Sequence, residues 1–214
     1  MTAGKKNEFD DKAKTWDDEP ERAHRTQIIA DAIGKEIPFN SSFTAMEYGC
    51  GTGLLSFQLK NRFSNITLID NSQGMLEVLK EKIERDKVNN MDVLNIDLLE
   101  STASISKSFS VIYCSMVLHH TGDISRMLSV WCALLNRPGY LCVADLDSDN
   151  GLFHGKGFKG HNGFDRESLK KITQQSGFTN IRFRTLLEIK KVSHDKMEHS
   201  FPLFLMVAEK PKLT

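Results

Sequence analysis

The stretch Thr44-Ala45-Met46-Glu47-Tyr48-Gly49-Cys50-Gly51-Thr52-Gly53 decides the fold. It reads as a short buried strand that breaks into a glycine turn and opens a helix at Leu54-Leu55. Glycines at 49, 51 and 53 remove side chains where the backbone must pass close to something, and they permit positive φ. The free N–H groups at the start of the next helix favour polar or anionic groups. The stretch is therefore a nucleotide-type cradle. A dinucleotide fingerprint needs G-x-G-x-x-G, yet the third place falls on Leu54 counting from Gly49 and on Ser56 counting from Gly51. No G-K-[ST] closes the turn, which excludes a P-loop.

Downstream, Ile66-Thr67-Leu68-Ile69-Asp70 is a second strand ending in an acid roughly 20 residues past the first glycine. Such a carboxylate accepts hydrogen bonds from both ribose hydroxyls and stays ionised at neutral pH. Ser72 is the better cap for the helix bearing Met75, Leu76, Leu79 and Ile83, which leaves Asp70 for the ribose. Val93-Leu94-Asn95-Ile96-Asp97 is the third strand and Phe109–Cys114 the fourth, running into Ser115-Met116-Val117-Leu118-His119-His120.

An acid followed by G-x-G-x-G, then I-D-x-S-x-x-M-L, then S-x-x-L-H-H resembles the class I S-adenosylmethionine-dependent methyltransferases of small molecules, over roughly residues 9–210. The resemblance implies a doubly wound, Rossmann-like α/β fold: seven strands, mostly parallel, the last antiparallel. It implies S-adenosylmethionine as cofactor, held by Glu47, Gly49, Cys50, Gly51, Gly53, Asp70, Asn71, Met75, Asp97, Leu98 and Ser115. In the family the first acid serves the methionine end, and an acid placed like Asp97 contacts the adenine amino group, with Leu98 against the ring; a solvated loop acid is the alternative for Asp97. The run Phe9-Asp10-x-x-Ala13-x-x-Trp16-Asp17 resembles the family's entry segment, with Trp16 either covering the site or packing as an ordinary aromatic. His119 and His120 are the catalytic candidates, since imidazole titrates near working pH; a structural histidine is the alternative. Adjacent residues face different sides, so the pair is not expected to share a metal.

The 214 residues suffice for one sizeable domain. Residues 1–35 are expected to form a helical cap, with Pro20 in a helix's first turn and Gly34 as its stop, and residues 146–164 a flexible lid-like loop. Within that loop, 150–163 holds five glycines with Phe153, His154, Phe158 and His161; a plain connection is the alternative to a lid. Asp123 and Asp165 are helix caps, 136–139 is a turn, and 181–189 and 203–209 are strands joined by a rim connection over 190–200. Asp145-x-Asp147-x-Asp149 lacks an EF-hand's glycine and terminal glutamate, so these read as solvated acids and no metal is expected.

Lys+Arg and Asp+Glu each number 28, which builds in no general attraction to polyanions, so no nucleic-acid partner is expected. Four cysteines without C-x-x-C spacing read as buried thiols. The absence of an apolar run near 18 residues gives no expectation of membrane insertion, and a cytoplasmic monomer or homodimer is the default. The expected activity is methyl transfer to an O, N, C or S nucleophile of a small molecule. The alternatives are a non-catalytic S-adenosylmethionine sensor or scaffold, and a quinone-biosynthesis-type C-methyltransferase. A nicotinamide oxidoreductase is opposed by the glycine spacing.

Overall fold

The computed structural model describes residues 8–100 and 105–212, so the first seven residues of the expected N-terminal cap lie outside the described residues. Seven strands form one sheet: β1 (Thr44–Tyr48), β2 (Asn65–Asp70), β3 (Met91–Asn95), β4 (Phe109–Ser115), β5 (Leu135–Leu146), β6 (Thr179–Val192) and β7 (Glu198–Lys210). Their order is β3-β2-β1-β4-β5-β7-β6, with β7 antiparallel to both neighbours and the other pairings parallel. The chain winds from β1 outward through β2 and β3, then restarts at β4 on the other side of β1. That reversal places a ligand crevice at the carboxyl ends of β1 and β4.

Alternation along the central strands divides the core. Ala45, Val111 and Tyr113 face one side, with α1 (Pro20–Glu36), α2 (Leu54–Leu59) and α3 (Gln73–Arg85). Met46, Ile112 and Cys114 face the other, with α4 (Ile124–Leu134) and α5 (Arg166–Gln175). Both faces are covered, which is why β1 and β4 are near-continuous apolar runs.

The expected caps form: Ser72, Asp123 and Asp165 accept from the backbone N–H of Met75, Arg126 and Ser168. Several boundaries differ from expectation. Helix α1 passes through Gly34 and ends at Ile37, which is extended (φ −119°) ahead of Pro38; proline disfavours helical geometry in the residue before it, and this outweighs the glycine. Strand β3 begins at Met91, so Asp97 lies past its end. The 136–139 turn is absorbed into β5 as an excursion, the register jumping from Phe109↔Leu135 to Val111↔Tyr140. Strands β6 and β7 stay paired as far as Val192↔Glu198, reducing the 190–200 connection to a tight hairpin turn. No helix among the described residues is long and apolar enough to cross a membrane.

Candidate active site at the ends of the parallel strands

A cleft of about 1080 Å³ opens at the switch point, lined from several segments at once: Glu47–Thr52, Asp70, Asn71, Met75, Ile96, Asp97, Ser115–Val117 and the two histidines. Its first wall is the glycine loop. Gly49 has φ +65°, and a Cβ there would sit 2.5 Å from both Val117 methyls, so only glycine lets β1 turn beneath the β4 loop. Gly53 plays a different part from the one expected. It is the N-cap of α2 and does not line the cleft; a Cβ on it would lie 2.5 Å from Leu79 Cδ1, so it seats α2 against α3.

Two carboxylates flank this loop. Glu47 is buried, its Oε2 accepting a short hydrogen bond from the Ser56 hydroxyl, which also shares a 2.6 Å bond with Tyr113. Burial pushes the Glu47 carboxyl up to about 8, against the lowering effect of Ser56. Asp70 is not the unengaged acid that the sequence suggested: Oδ2 accepts from Gly51 N at 2.8 Å and Oδ1 from Ser72 N at 2.8 Å. It pins the glycine loop to the start of α3, and each oxygen keeps a second lone pair for a ligand. Burial raises its pKa, opposed by these backbone donors.

Beyond β3, Asp97 lines the cleft and accepts from Leu99 N at 2.9 Å. Leu98 does not lie on the cleft as expected. It is fully buried in the core, and Ile96 and Leu99 flank the cleft instead.

The N-terminal segment closes one side. A 3-10 helix, Asp10–Asp18, lies against α3. Asp10 Oδ1 accepts from Ser72 Oγ (2.7 Å) and Gly74 N (3.0 Å). Asp17 accepts from the Thr52 hydroxyl at 2.5 Å and from Lys82 Nζ at 2.6 Å, while Lys82 also reaches Thr52 O at 2.9 Å. This clasp fastens the segment to the glycine loop. Trp16 lines the cleft, with the Arg22 guanidinium 3.6 Å from its ring centroid. Asp17→Ala, which leaves Lys82 without that partner, is expected to loosen residues 10–18 selectively, read as faster amide exchange there with the sheet unchanged.

The opposite wall is aromatic. His119 is buried, and its Nδ1 lies 2.6 Å from Asp145 Oδ1; Asp145 Oδ2 accepts from His119 N at 3.2 Å. Asp145 is thus fully buried, not the solvated acid expected, because β5 carries it inside before the chain reaches the rim. Asp147 and Asp149 do turn away, to Arg166 and to the Gly151 and Leu152 amides. The rings of His119 and His120 lie 4.4 Å apart, contrary to the expectation that they diverge, and His154 lies 4.8 Å from His119. A single 3-10 turn over Leu118–His120 brings the pair together. Desolvation, aided by the neighbouring imidazoles, lowers His120 and His154 to about 4, so both are neutral at physiological pH and His120 is a weak base. The glycine loop 150–163 is drawn onto this wall: His161 N donates to His119 O at 2.7 Å, and His154 stacks on Phe158 at 3.8 Å.

Residues 45–139 match a family described as a methyltransferase domain. An uncharacterised methyltransferase of Schizosaccharomyces pombe is 30% identical over 155 residues, covering 65% of this chain and 55% of that protein. The ubiquinone biosynthesis O-methyltransferase of Coxiella burnetii is 34% identical over 95 residues, covering 44% of this chain and 39% of that protein. The chain therefore spans about half the length of these relatives or less. The N-methyltransferase NodS of Bradyrhizobium japonicum, solved with S-adenosylhomocysteine, shares the fold with a TM-score of 0.65 at 16% identity, covering 92% of this chain and 90% of that one. The sheet order is that of the Rossmann-like methyltransferase fold. The matched segment, residues 45–139, is similar to a methyltransferase domain, and the similarity is to methyltransferases of the class that uses S-adenosylmethionine.

Proposed function

We propose that this chain transfers a methyl group from S-adenosylmethionine to a small-molecule acceptor. The observation that supports this best is the pair of carboxylates, Glu47 and Asp70, at the ends of adjacent strands on either side of the glycine loop, facing one cleft with the histidine wall. The residues fit the cofactor. Glu47 is the acid for the cationic methionine end, Asp70 has lone pairs left for the ribose, and Asp97 with Ile96 and Leu99 receives the adenine. Bound there, S-adenosylmethionine would supply an electrophilic methyl group for transfer to the acceptor.

What the chain contributes is alignment. The Gly49–Val117 contact fixes the floor between cofactor and acceptor halves, the clasped N-terminal segment excludes water, and the aromatic wall of His119, His120, His154 and Phe158 bounds the acceptor. Positioning of this kind contributes on the order of 7–11 kcal/mol in favourable cases. The Coxiella burnetii relative's name makes an oxygen nucleophile the first to test; quinone-type C-methylation is the next.

Calorimetric titration with S-adenosylmethionine, S-adenosylhomocysteine and NAD is the direct test. Micromolar binding of the two sulfur ligands without NAD is expected, followed by S-adenosylhomocysteine formation with an acceptor pool; binding of NAD alone overturns the proposal. Binding without turnover across acceptor classes would leave the sensor reading. Asp70→Ala is expected to weaken cofactor binding by about 1.5–3 kcal/mol, since charged hydrogen bonds to the ligand go. The same change strips an acceptor from the Gly51 and Ser72 amides, so apo thermal stability falls with it.

A further inference from the structure

We propose that His119, His120 and His154 form a binding site for a divalent transition metal, of the zinc or cobalt class, on the acceptor side of the cleft. One ligand nitrogen from each of the three lies within 4.8 Å of the others. Three imidazoles favour zinc, copper, iron or nickel over magnesium or calcium. A tetrahedral zinc with bonds of 2.0–2.1 Å needs its nitrogens about 3.3 Å apart, so modest side-chain rotation closes the set.

Three features make this more than a cluster. First, His154 Nε2 is buried and has no hydrogen-bond partner, an arrangement that costs free energy unless something is there to receive it. Second, Asp145 engages His119 Nδ1 at 2.6 Å, which leaves Nε2 as the free atom and presets the ring, as carboxylates do behind metal-bound histidines. Among the described residues no Lys or Arg pairs with this fully buried carboxylate, so a cation bound through His119 supplies the charge it lacks. Third, the loop carrying His154 is held to His119 by backbone: His161 N bonds to His119 O, and a Cβ at Gly160 would fall 2.3 Å from that same carbonyl.

Three protein ligands leave a fourth position open, the pattern of zinc sites that act on a bound molecule. Since all three histidines line the cleft, that position faces it. The proposal stands independently of the methyl-transfer reading.

The test uses the full chain without a histidine tag. After chelator treatment and dialysis, Zn²⁺ is titrated against a chromophoric chelator, and Co²⁺ binding is followed by visible absorption. One ion per chain is expected, with a tetrahedral cobalt spectrum. His120→Ala and His154→Ala should each lower Zn²⁺ affinity at least 100-fold, and Asp145→Asn by about 10–100-fold through loss of orientation. His194→Ala and His199→Ala, in the β6–β7 hairpin and outside the three-histidine cluster, should leave it unchanged. Circular dichroism and thermal melts of each variant report that the fold is intact. Stoichiometry well below one, or affinity indifferent to His120→Ala and His154→Ala in folded protein, overturns the site.

Discussion

Glu47→Gln is expected to make the apo protein more stable at pH 9 while it weakens cofactor binding. The Glu47 carboxyl is raised from 4.5 to about 8 by burial. A group whose folded pKa lies above its unfolded value contributes stability that is full below the unfolded pKa and is lost as pH rises through the folded one. For this chain the loss spans the interval from about 4.5 to 8. Glutamine keeps the shape and a polar partner for Ser56 but cannot ionise. The gain at pH 9 is on the order of 5 kcal/mol, or roughly 10–20 °C in Tm, and near zero at pH 4. Thermal melts of both proteins across pH check this, and a Tm difference that does not grow with pH refutes it. Cofactor binding adds a second signature. At pH 7 the apo carboxyl holds roughly 0.9 proton, and binding a cationic ligand expels it. Calorimetry in buffers of different ionisation enthalpy should show that release in the parent chain and lose it in Glu47→Gln.

Gly49→Ala is the second large effect. Alanine at φ +65° costs about 1–2 kcal/mol, and a Cβ 2.5 Å from two Val117 methyls adds about 1–3 kcal/mol of overpacking. The combined loss is expected to lower the apo Tm by roughly 5–15 °C at 2–4 °C per kcal/mol. Cofactor affinity should fall at least tenfold, because the loop that carries Cys50 and Gly51 shifts with it. Val117→Ala removes the two methyls but keeps a Cβ 3.0 Å from the new one and leaves the conformational part, so the double variant should recover only some of the stability. The two changes should show a favourable coupling of about 1–3 kcal/mol in a mutant cycle. Strict additivity would mean that the methyls are not what the new Cβ meets.

The fold and the glycine-turn side of the cleft were legible in the sequence because their determinants are local. Glu47 and the glycines sit within one turn, and Asp70 ends the next strand, so spacing alone brings them to one place. Leu98 was misplaced because it lies three residues past β3, which ends two residues earlier than its apolar run suggested, and strand alternation does not reach that far. Gly34 was misjudged because the following Ile37-Pro38 step is the stronger stop. The histidine wall was the least legible part. Its members come from the β4 loop, the end of β5 and the 150–163 loop, and no spacing rule links His119 to Asp145, 26 residues on, or either to His154. A buried Asp after an apolar strand was the one available signal: Tyr140–Ala144 is a core strand, and Asp145 continues its run.

The clasp of Asp17 on Thr52 and Lys82 has a consequence for how the molecule is made. Asp17 precedes its partners by 35 and 65 residues. During synthesis the cover emerges before its partners and has nothing to fasten to until α3 is complete, with Phe9 and Trp16 exposed meanwhile. A segment translated ahead of its partners is therefore among the last to dock, and the interval before α3 is when a nascent chain of this protein is most open to chaperones and to misassociation.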